Sequence, residues 1–163
     1  MLYNLNVLPP FSTKDVLQII TKCPALVCTG TPTSIEDKVH FLLKELGFYR
    51  RQLRNMILKQ PAILTFSQEA IKSKFDYCYR HIGVAIPDIA RCTRLWQCSL
   101  KRLKERHLFL RHLNVITEHT HVDDFGLGKI VTPSDETFAK QIAKTSLVEF
   151  QDFIKEIGNK CLM

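Results

Sequence analysis

The sequence has no long hydrophobic run. Its apolar runs are short, among them Phe41-Leu42-Leu43 and Leu108-Phe109-Leu110, whereas a helix that crosses a bilayer needs roughly 20 consecutive apolar residues. We therefore expect no membrane-spanning segment. Residues 1–15 also lack the charged start and apolar centre of a secretory signal, and the Arg- and Ser-rich pattern of a transit peptide. Taken alone, they predict a cytosolic or nuclear protein, or a mature or incomplete product.

Paired cysteines are lacking as well. No cysteine lies three positions from another, which is the Cys-x-x-Cys spacing of zinc sites and redox pairs. We expect the thiols to be reduced and mostly in the core. The six positions are Cys23, Cys28, Cys78, Cys92, Cys98 and Cys161.

The overall composition excludes a disordered chain, because 45% of the residues are hydrophobic and only 24% are charged. A chain of 163 residues buries about 68–70% of its unfolded surface. It can therefore form a core without a disulfide or a structural metal ion. We expect one globular domain.

Acidic residues are scarce in the middle of the chain. Between Arg50 and Arg111 there are 14 lysines and arginines against 4 acidic residues, and the whole chain has a net charge of +7. Such a concentration of cations favours a polyanionic partner. A solvated helical surface that is basic but binds nothing is the alternative.

A three-residue pattern recurs through this basic part. It consists of Leu or Ile, then Gly or Asn, then an aromatic residue or Val, and its central positions are 41, 36 and 31 residues apart. This period is typical of a helical solenoid. Gly or Asn at the centre predicts a left-handed position that ends a helix. The triplets are Leu5-Asn6-Val7, Leu46-Gly47-Phe48, Ile82-Gly83-Val84 and Leu113-Asn114-Val115.

Each of the first three triplets is followed by an amphipathic stretch. Residues 16–24, 53–61 and 89–97 align without a gap, and the first two stretches end in Pro24 and Pro61. Proline predicts the end of a helix or a bend. Gln97 takes the proline position in the third stretch, which puts the bend of that repeat in doubt.

A second amphipathic helix leads from each stretch to the next triplet, and no segment has the alternation of a strand. The sequence therefore predicts an all-α solenoid, either right- or left-handed, with a carboxyl-terminal helical cap. Repeats occupy residues 1–115 and divide at about 1–46, 47–82 and 83–115. We expect a polar loop over 116–132 and the cap, an acidic helical pair, over 133–163.

The predicted loop contains potential metal ligands within six positions, but no partner motif lies elsewhere, which favours a solvated loop over a metal site. These residues are His119, His121, Asp123 and Asp124. We find no nucleophile with an identifiable base. The sequence therefore predicts no catalytic residue, no metal and no cofactor.

The candidate site is a stripe of cations that crosses successive repeats. On a helix over 49–60, Arg50, Arg51 and Arg54 share one arc, opposite the apolar side. Arg91 and Arg94 are three apart on the matching helix, and three more cations begin the helix that follows. If the repeats stack in register, these groups can follow a phosphate backbone. The eight candidates are Arg50, Arg51, Arg54, Arg91, Arg94, Lys101, Arg102 and Lys104.

Aromatic residues near this stripe could stack on exposed bases. Their places on apolar helix sides and near helix ends favour core packing instead. They are Tyr49, Phe75, Tyr77, Tyr79 and Trp96.

The triplet, the amphipathic helix, the proline and the Ala62-Ile63-Leu64 segment together resemble the repeat of the mitochondrial transcription termination factor (mTERF) family. Segments 104–110, 130–138, 142–146 and 150–153 further resemble the carboxyl-terminal part of one metazoan branch of that family. Family members are normally longer, so the chain resembles their carboxyl-terminal half.

The resemblance implies a curved stack whose basic inner surface binds double-stranded DNA or structured RNA in mitochondria. For this branch it also implies negative control of mitochondrial transcription and a part in assembling the large ribosomal subunit. An adaptor that holds a ribosome-assembly factor or an RNA-modifying enzyme is the alternative. We expect a noncatalytic monomer that does not act on membranes.

Overall fold

The computed structural model describes residues 11–29, 32–116 and 126–160, and every regular element in these ranges is a helix. The predicted all-α class is therefore confirmed. None of the helices in these ranges is long and apolar enough to span a bilayer.

The helices repeat in a fixed order: a first helix, a short helical turn, and a second helix. The first repeat contains α1 (Thr13–Lys22), α2 (Ala25–Thr29) and α3 (Pro32–Lys44). The second contains α4 (Arg50–Lys59), a 3₁₀ turn (Pro61–Leu64) and α5 (Gln68–Asp76), which continues as a π-helical turn over Tyr77–Ile82. The third contains α6 (Ile86–Arg91), a 3₁₀ turn (Thr93–Trp96) and α7 (Leu100–His112).

Serine is the N-cap residue of α5, of α7 and of the short helix that begins at Asp135. The hydroxyl groups of Ser67, Ser99 and Ser134 accept hydrogen bonds from the backbone N–H three residues later. Such caps satisfy donors that have no partner within the helix.

The predicted left-handed helix ends are confirmed at the three described triplets. Gly47, Gly83 and Asn114 have φ angles of 72°, 79° and 53°. Lys144 adopts the same conformation, with φ of 56°, and no triplet marked it. At all four ends a backbone N–H reaches back six residues to a carbonyl. These hydrogen bonds join Phe48 to Leu42, Val84 to Cys78, Ile116 to Leu110 and Thr145 to Ala139.

The expectation of a loop over 116–132 is wrong for its last part. Residues Leu127–Val131 form a helix, α8, whose Leu127, Ile130 and Val131 side chains are buried. This helix is too short to produce a periodic pattern in the sequence. Residues 117–125 lie outside the described residues, and they include His119, His121, Asp123 and Asp124.

A fourth, shortened repeat begins with α8. It is followed by the Ser134 cap and a second helix, α9 (Asp135–Thr137), which continues as a π-helical turn over Phe138–Ala143. The last helix is α10 (Leu147–Lys160). The expected cap therefore consists of the second helix of a fourth repeat and one further helix.

The gapless alignment of the third repeat is also wrong, by one helical turn. α6 has 6 residues where α4 has 10, and Thr93, not Gln97, takes the place of Pro61 at the start of the 3₁₀ turn. Because the missing four residues are close to the 3.6-residue period, Leu53 and Met56 still coincided with Ile89 and Cys92.

One core runs through all four repeats and into α10, from Phe11 to Phe150. Phe48 joins the second and third repeats, since its ring centroid lies 5.5 Å from that of Phe75 and 6.3 Å from that of Trp96, edge to face in both cases. Such pairs contribute about 0.5–1.5 kcal/mol beyond the burial of their area.

The cysteines whose positions are described are free thiols, as predicted. Cys23, Cys78 and Cys98 are buried and Cys28 is exposed. Burial raises the pKa of the Cys78 thiol to about 12. Cys161 lies outside the described residues.

A buried or half-buried cation joins each repeat to the next. Lys38 of α3 donates to the carbonyl of Phe66, and Lys74 of α5 donates to that of Trp96 at 2.7 Å. Arg106 takes the same place in α7, because Lys74 and Arg106 both lie seven residues after the serine cap of their helix. Burial lowers the pKa of both lysines. Part of the basic surplus therefore serves the packing of the stack.

Candidate nucleic-acid interface

Two of the eight candidate cations join repeats. The Arg54 guanidinium forms an ion pair with Asp15 of α1 at 2.7 Å and lies over the Phe11 ring. Arg102 pairs with Asp135 at 3.2 Å and donates to the Pro133 carbonyl at 3.0 Å. Both guanidinium groups are partly buried, and each already forms an ion pair with a carboxylate. The structure therefore separates them from the predicted stripe.

Arg106, which sequence reasoning did not single out, is the fully buried cation of this junction. Its guanidinium donates to the Ile130 carbonyl at 2.7 Å, the Pro133 carbonyl at 2.8 Å and the Asp135 carboxylate at 2.6 Å. Partial burial acts to raise the pKa of Asp135, but hydrogen bonding and the charges of the two arginines lower it overall. The spacing of seven residues from Ser99 was the signal for this role.

Arg91 and Lys101 have carboxylate partners but remain open to solvent. Arg91 lies 3.0 Å from Asp88, and Lys101 lies 3.7 Å from Glu105. Their side chains are 77% and 84% exposed. Exposed pairs on one helix contribute at most about 1 kcal/mol. A phosphate can therefore compete for both cations.

The remaining candidates differ in their surroundings. Arg50 is exposed and has no carboxylate partner within the part of the chain that the structure describes. Lys104 lies over the Tyr77 ring at 5.6 Å. The expectation that Arg94 shares a helix with Arg91 is wrong, because α6 ends at Arg91 and Arg94 lies in the next 3₁₀ turn. Its guanidinium donates to the Gln97 side chain at 3.0 Å.

Arg51 and Arg91 meet in a groove between α4 and α6, which we call the basic groove. It has a volume of about 520 Å³. The cations in its lining are Arg51 and Lys59 of the second repeat and Arg91 of the third, and the amide side chains of Gln52 and Asn55 add donors and acceptors. The lining residues are Tyr49, Arg51, Gln52, Asn55, Lys59, Pro87, Ala90 and Arg91.

Core packing was the wrong expectation for Tyr49, which is 72% exposed. The preceding residue, Phe48, takes the core position, and Tyr49 is the N-cap residue of α4 and lines the basic groove. The expectation holds for Phe75 and Trp96, which are buried, and for Tyr77, which is partly buried against the core. It is wrong for Tyr79, which is 50% exposed.

Lys101 and Lys104 line a different groove, between α7 and α10, which we call the apolar groove. It has a volume of about 470 Å³, and Leu100, Leu108 and Ile154 form part of its lining. The eight candidates therefore have different surroundings. Two line the basic groove, two line the apolar groove, and two are engaged between repeats.

The basic groove offers hydrogen-bond donors and positive charge, the chemistry that phosphate oxygens require. Within the described ranges, no cluster of three or more His, Cys, Asp or Glu side chains has the arrangement of a metal site. The arrangement is therefore suited to binding a polyanion by contact.

Comparison with known proteins matches the mTERF family over residues 5–139. Transcription termination factor 3, mitochondrial, of Drosophila melanogaster is 26% identical over 145 residues, which are 88% of this chain and 41% of that protein. Transcription termination factor 4, mitochondrial, of Mus musculus is 27% identical over 143 residues, covering 85% of this chain and 41% of that protein. A chloroplastic factor, MTERF2 of Arabidopsis thaliana, is 25% identical over 79% of the chain. The chain thus spans about two fifths of the length of the first two relatives.

Proposed function

Because the chain belongs to the mTERF family, we propose that it binds double-stranded nucleic acid, DNA or structured RNA, and regulates mitochondrial transcription without catalysis. The basic groove carries this proposal. It joins Arg51 and Lys59 of one repeat to Arg91 of the next, and cations on adjacent repeats can follow a backbone that a scatter of charges cannot.

Organellar action is proposed from the relatives, which are named mitochondrial or chloroplastic factors. A contribution to assembly of the mitochondrial large ribosomal subunit is part of the same proposal, because ribosomal RNA offers the structured polyanion that such a groove fits. Both roles depend on binding of nucleic acid by this chain.

Salt dependence tests the proposal directly. Neutralised phosphates release condensed counterions, so about five contacts give a slope of about −4 to −5 in a plot of log affinity against log salt. Fluorescence anisotropy with a labelled duplex at several salt concentrations measures this slope. Absence of binding at low salt, or binding that is indifferent to salt, would contradict the proposal.

A variant pair locates the contact. Arg51→Gln combined with Arg91→Gln removes two charges from the basic groove and should weaken binding and flatten the slope by nearly two. Lys140→Gln combined with Lys155→Gln removes the same charge from exposed positions of the last two helices and should change neither. Equal losses in the two variants would show that net charge, and not the groove, determines binding.

The apolar groove favours a second candidate function, an adaptor that holds an amphipathic helix of a ribosome-assembly factor or an RNA-modifying enzyme. Leu108 is 41% exposed there, and Lys101 and Lys104 at its rim match acidic side chains. A stoichiometric protein retained in high salt after nuclease treatment, and released by Leu108→Asp, would support it. Retention by that variant would exclude this groove.

A further inference from the structure

Each of the first three repeats ends its first helix with a cation. The last residues of α1, α4 and α6 are Lys22, Lys59 and Arg91. All three side chains are exposed. The alignment of residues 53–61 with 89–97 did not show that Lys59 and Arg91 are equivalent, because it displaced the third repeat by one helical turn.

The three cations lie side by side along the stack. The ammonium group of Lys22 donates to the carbonyl of Leu58 at 2.9 Å, so it reaches the end of α4, one residue from Lys59. Lys59 and Arg91 both line the basic groove. The ends of three successive helices therefore form one row of positive charge.

The row stops after the third repeat. The fourth first helix, α8, ends at Val131, whose side chain is buried. Within the described part of the chain, the row therefore consists of Lys22, Lys59 and Arg91. We call these three residues the helix-end row.

We infer that the helix-end row supplies one phosphate contact per repeat to a single strand of the bound nucleic acid. This inference rests on the proposed function and specifies it. Packed helices are about 8–10 Å apart, and the phosphates of one strand advance about 3.4 Å along a duplex. Because that strand also winds around the duplex, the distance between neighbouring phosphates is larger than this advance, and each member of the row is far enough from the next to contact a separate phosphate.

A cation at the end of a helix also has a structural explanation, because it complements the partial negative charge of the helix terminus. A substitution of Lys44 distinguishes a phosphate contact from a helix-terminus effect. It is exposed and is the last residue of α3, but it belongs to a second helix and does not line the basic groove. A helix-terminus effect applies to Lys44 as well, whereas a phosphate contact does not.

The experiment uses the full chain and a labelled 20-base-pair duplex, with anisotropy measured between 50 and 200 mM salt. Lys22→Gln, Lys59→Gln and Arg91→Gln should each weaken binding several-fold and reduce the salt slope by about 0.9, and the triple variant by nearly three. Lys44→Gln should leave the slope unchanged. Lys59→Arg, which keeps the charge, should bind as the unaltered chain does.

Two outcomes overturn the inference and are distinct from failure of the proposed function. If the unaltered chain binds but the row variants flatten the slope no more than Lys44→Gln, the row makes no phosphate contact. If Lys59→Arg loses as much as Lys59→Gln, charge is not the cause. If the unaltered chain does not bind at low salt, the proposed function itself fails. Thermal unfolding of each variant, within a few degrees of the unaltered chain, confirms that the fold is retained.

Discussion

At the scale of single residues, Arg106 connects the fourth repeat to the rest of the stack. Its side chain is fully buried and lies 4.7 Å from the centre of the Phe138 ring. Two of its polar contacts are backbone carbonyls, the buried one of Ile130 and the one of Pro133, which also accepts from Arg102. A buried guanidinium in this setting stabilises one arrangement of α7, α8 and α9.

Removing this group should be costly. We expect Arg106→Met to lower the free energy of unfolding by about 2–4 kcal/mol, because the buried Ile130 carbonyl loses its donor and the Asp135 carboxylate loses one of its two arginines. Arg102→Met is the matched control, since Arg102 binds the same carboxylate but is 40% exposed. It should cost about 1 kcal/mol. Urea unfolding measures both, and equal losses would contradict a special role for Arg106.

A buried histidine gives a pH dependence. The Nδ1 atom of His107 lies 2.9 Å from the Tyr77 hydroxyl oxygen, and burial lowers the pKa of His107 to about 4, with small contributions from Arg111 and His81. The unfolded chain protonates this histidine near pH 6.5. Its contribution to stability is therefore complete above pH 6.5 and is lost as the pH falls toward 4.

The expected loss is at most about 3 kcal/mol. His107→Gln, which cannot titrate, provides the reference, because carboxyl groups elsewhere titrate equally in both proteins. The stability difference between the two proteins, followed by chemical unfolding from pH 7.5 to 4, should change by this amount. A difference that stays constant would mean that His107 keeps its ordinary pKa.

At the scale of elements, the left-handed helix ends fix where each second helix stops. No heavy atom lies within 4 Å of a Cβ built at Gly83, so any cost of a side chain there comes from the backbone. Gly83→Ala should lower the free energy of unfolding by about 1–2 kcal/mol. Gly128→Ala, in α8 and also without a close neighbour, should be neutral or stabilise by up to about 1 kcal/mol. Thermal unfolding of the two variants makes this comparison, and a Gly83→Ala protein as stable as Gly128→Ala would contradict it.

The sequence was informative about elements where residue type and backbone agree. Gly47, Gly83 and Asn114 predicted their left-handed positions because glycine and asparagine adopt them at low cost. Lys144 takes the same conformation but gave no signal, since lysine has no such preference. The shortening of α6 by four residues relative to α4 also gave no signal, because a change of about one helical turn keeps apolar residues on the same side of the helix.

Much less of the site was predictable. Charge along the chain marked the basic part, but it could not separate Arg51, which lines a groove, from Arg54, which packs against the preceding repeat. Arginine contributes to either setting through the same guanidinium. Only the positions of the neighbouring repeats decide between them.

At the scale of the whole molecule, the first repeat exposes apolar side chains that the second and third repeats bury. Leu17, Ile20 and Val27 of the first repeat are exposed. Ile57 and Ile89, which lie where Ile20 does relative to the end of their helix, are fully buried. Helix α4 packs against α1, and α6 packs against α4, so a preceding repeat contributes to the burial of Ile57 and Ile89.

A stability gradient follows from this arrangement. Ile57→Ala and Ile89→Ala should each lower the free energy of unfolding by about 2–5 kcal/mol, as buried aliphatic side chains do. Ile20→Ala, at the same position of the first repeat but 37% exposed, should cost less than about 1.5 kcal/mol. Urea unfolding of the three variants tests the gradient, and three equal losses would contradict the stacked arrangement.

The buried cysteines allow local unfolding of the repeats to be followed by the reactivity of their thiols. Cys23, Cys78 and Cys98 place one buried thiol in each of the first three repeats, and Cys92 adds a half-buried thiol in the third. Since a stack held by nearest neighbours frays from its ends, an alkylating reagent should modify Cys28 at once, Cys23 next, and Cys78 and Cys98 only much later. Mass spectrometry of peptides taken during such a time course would measure the modification rate of each cysteine. These rates give the free energy of local opening of each repeat without any substitution in the chain.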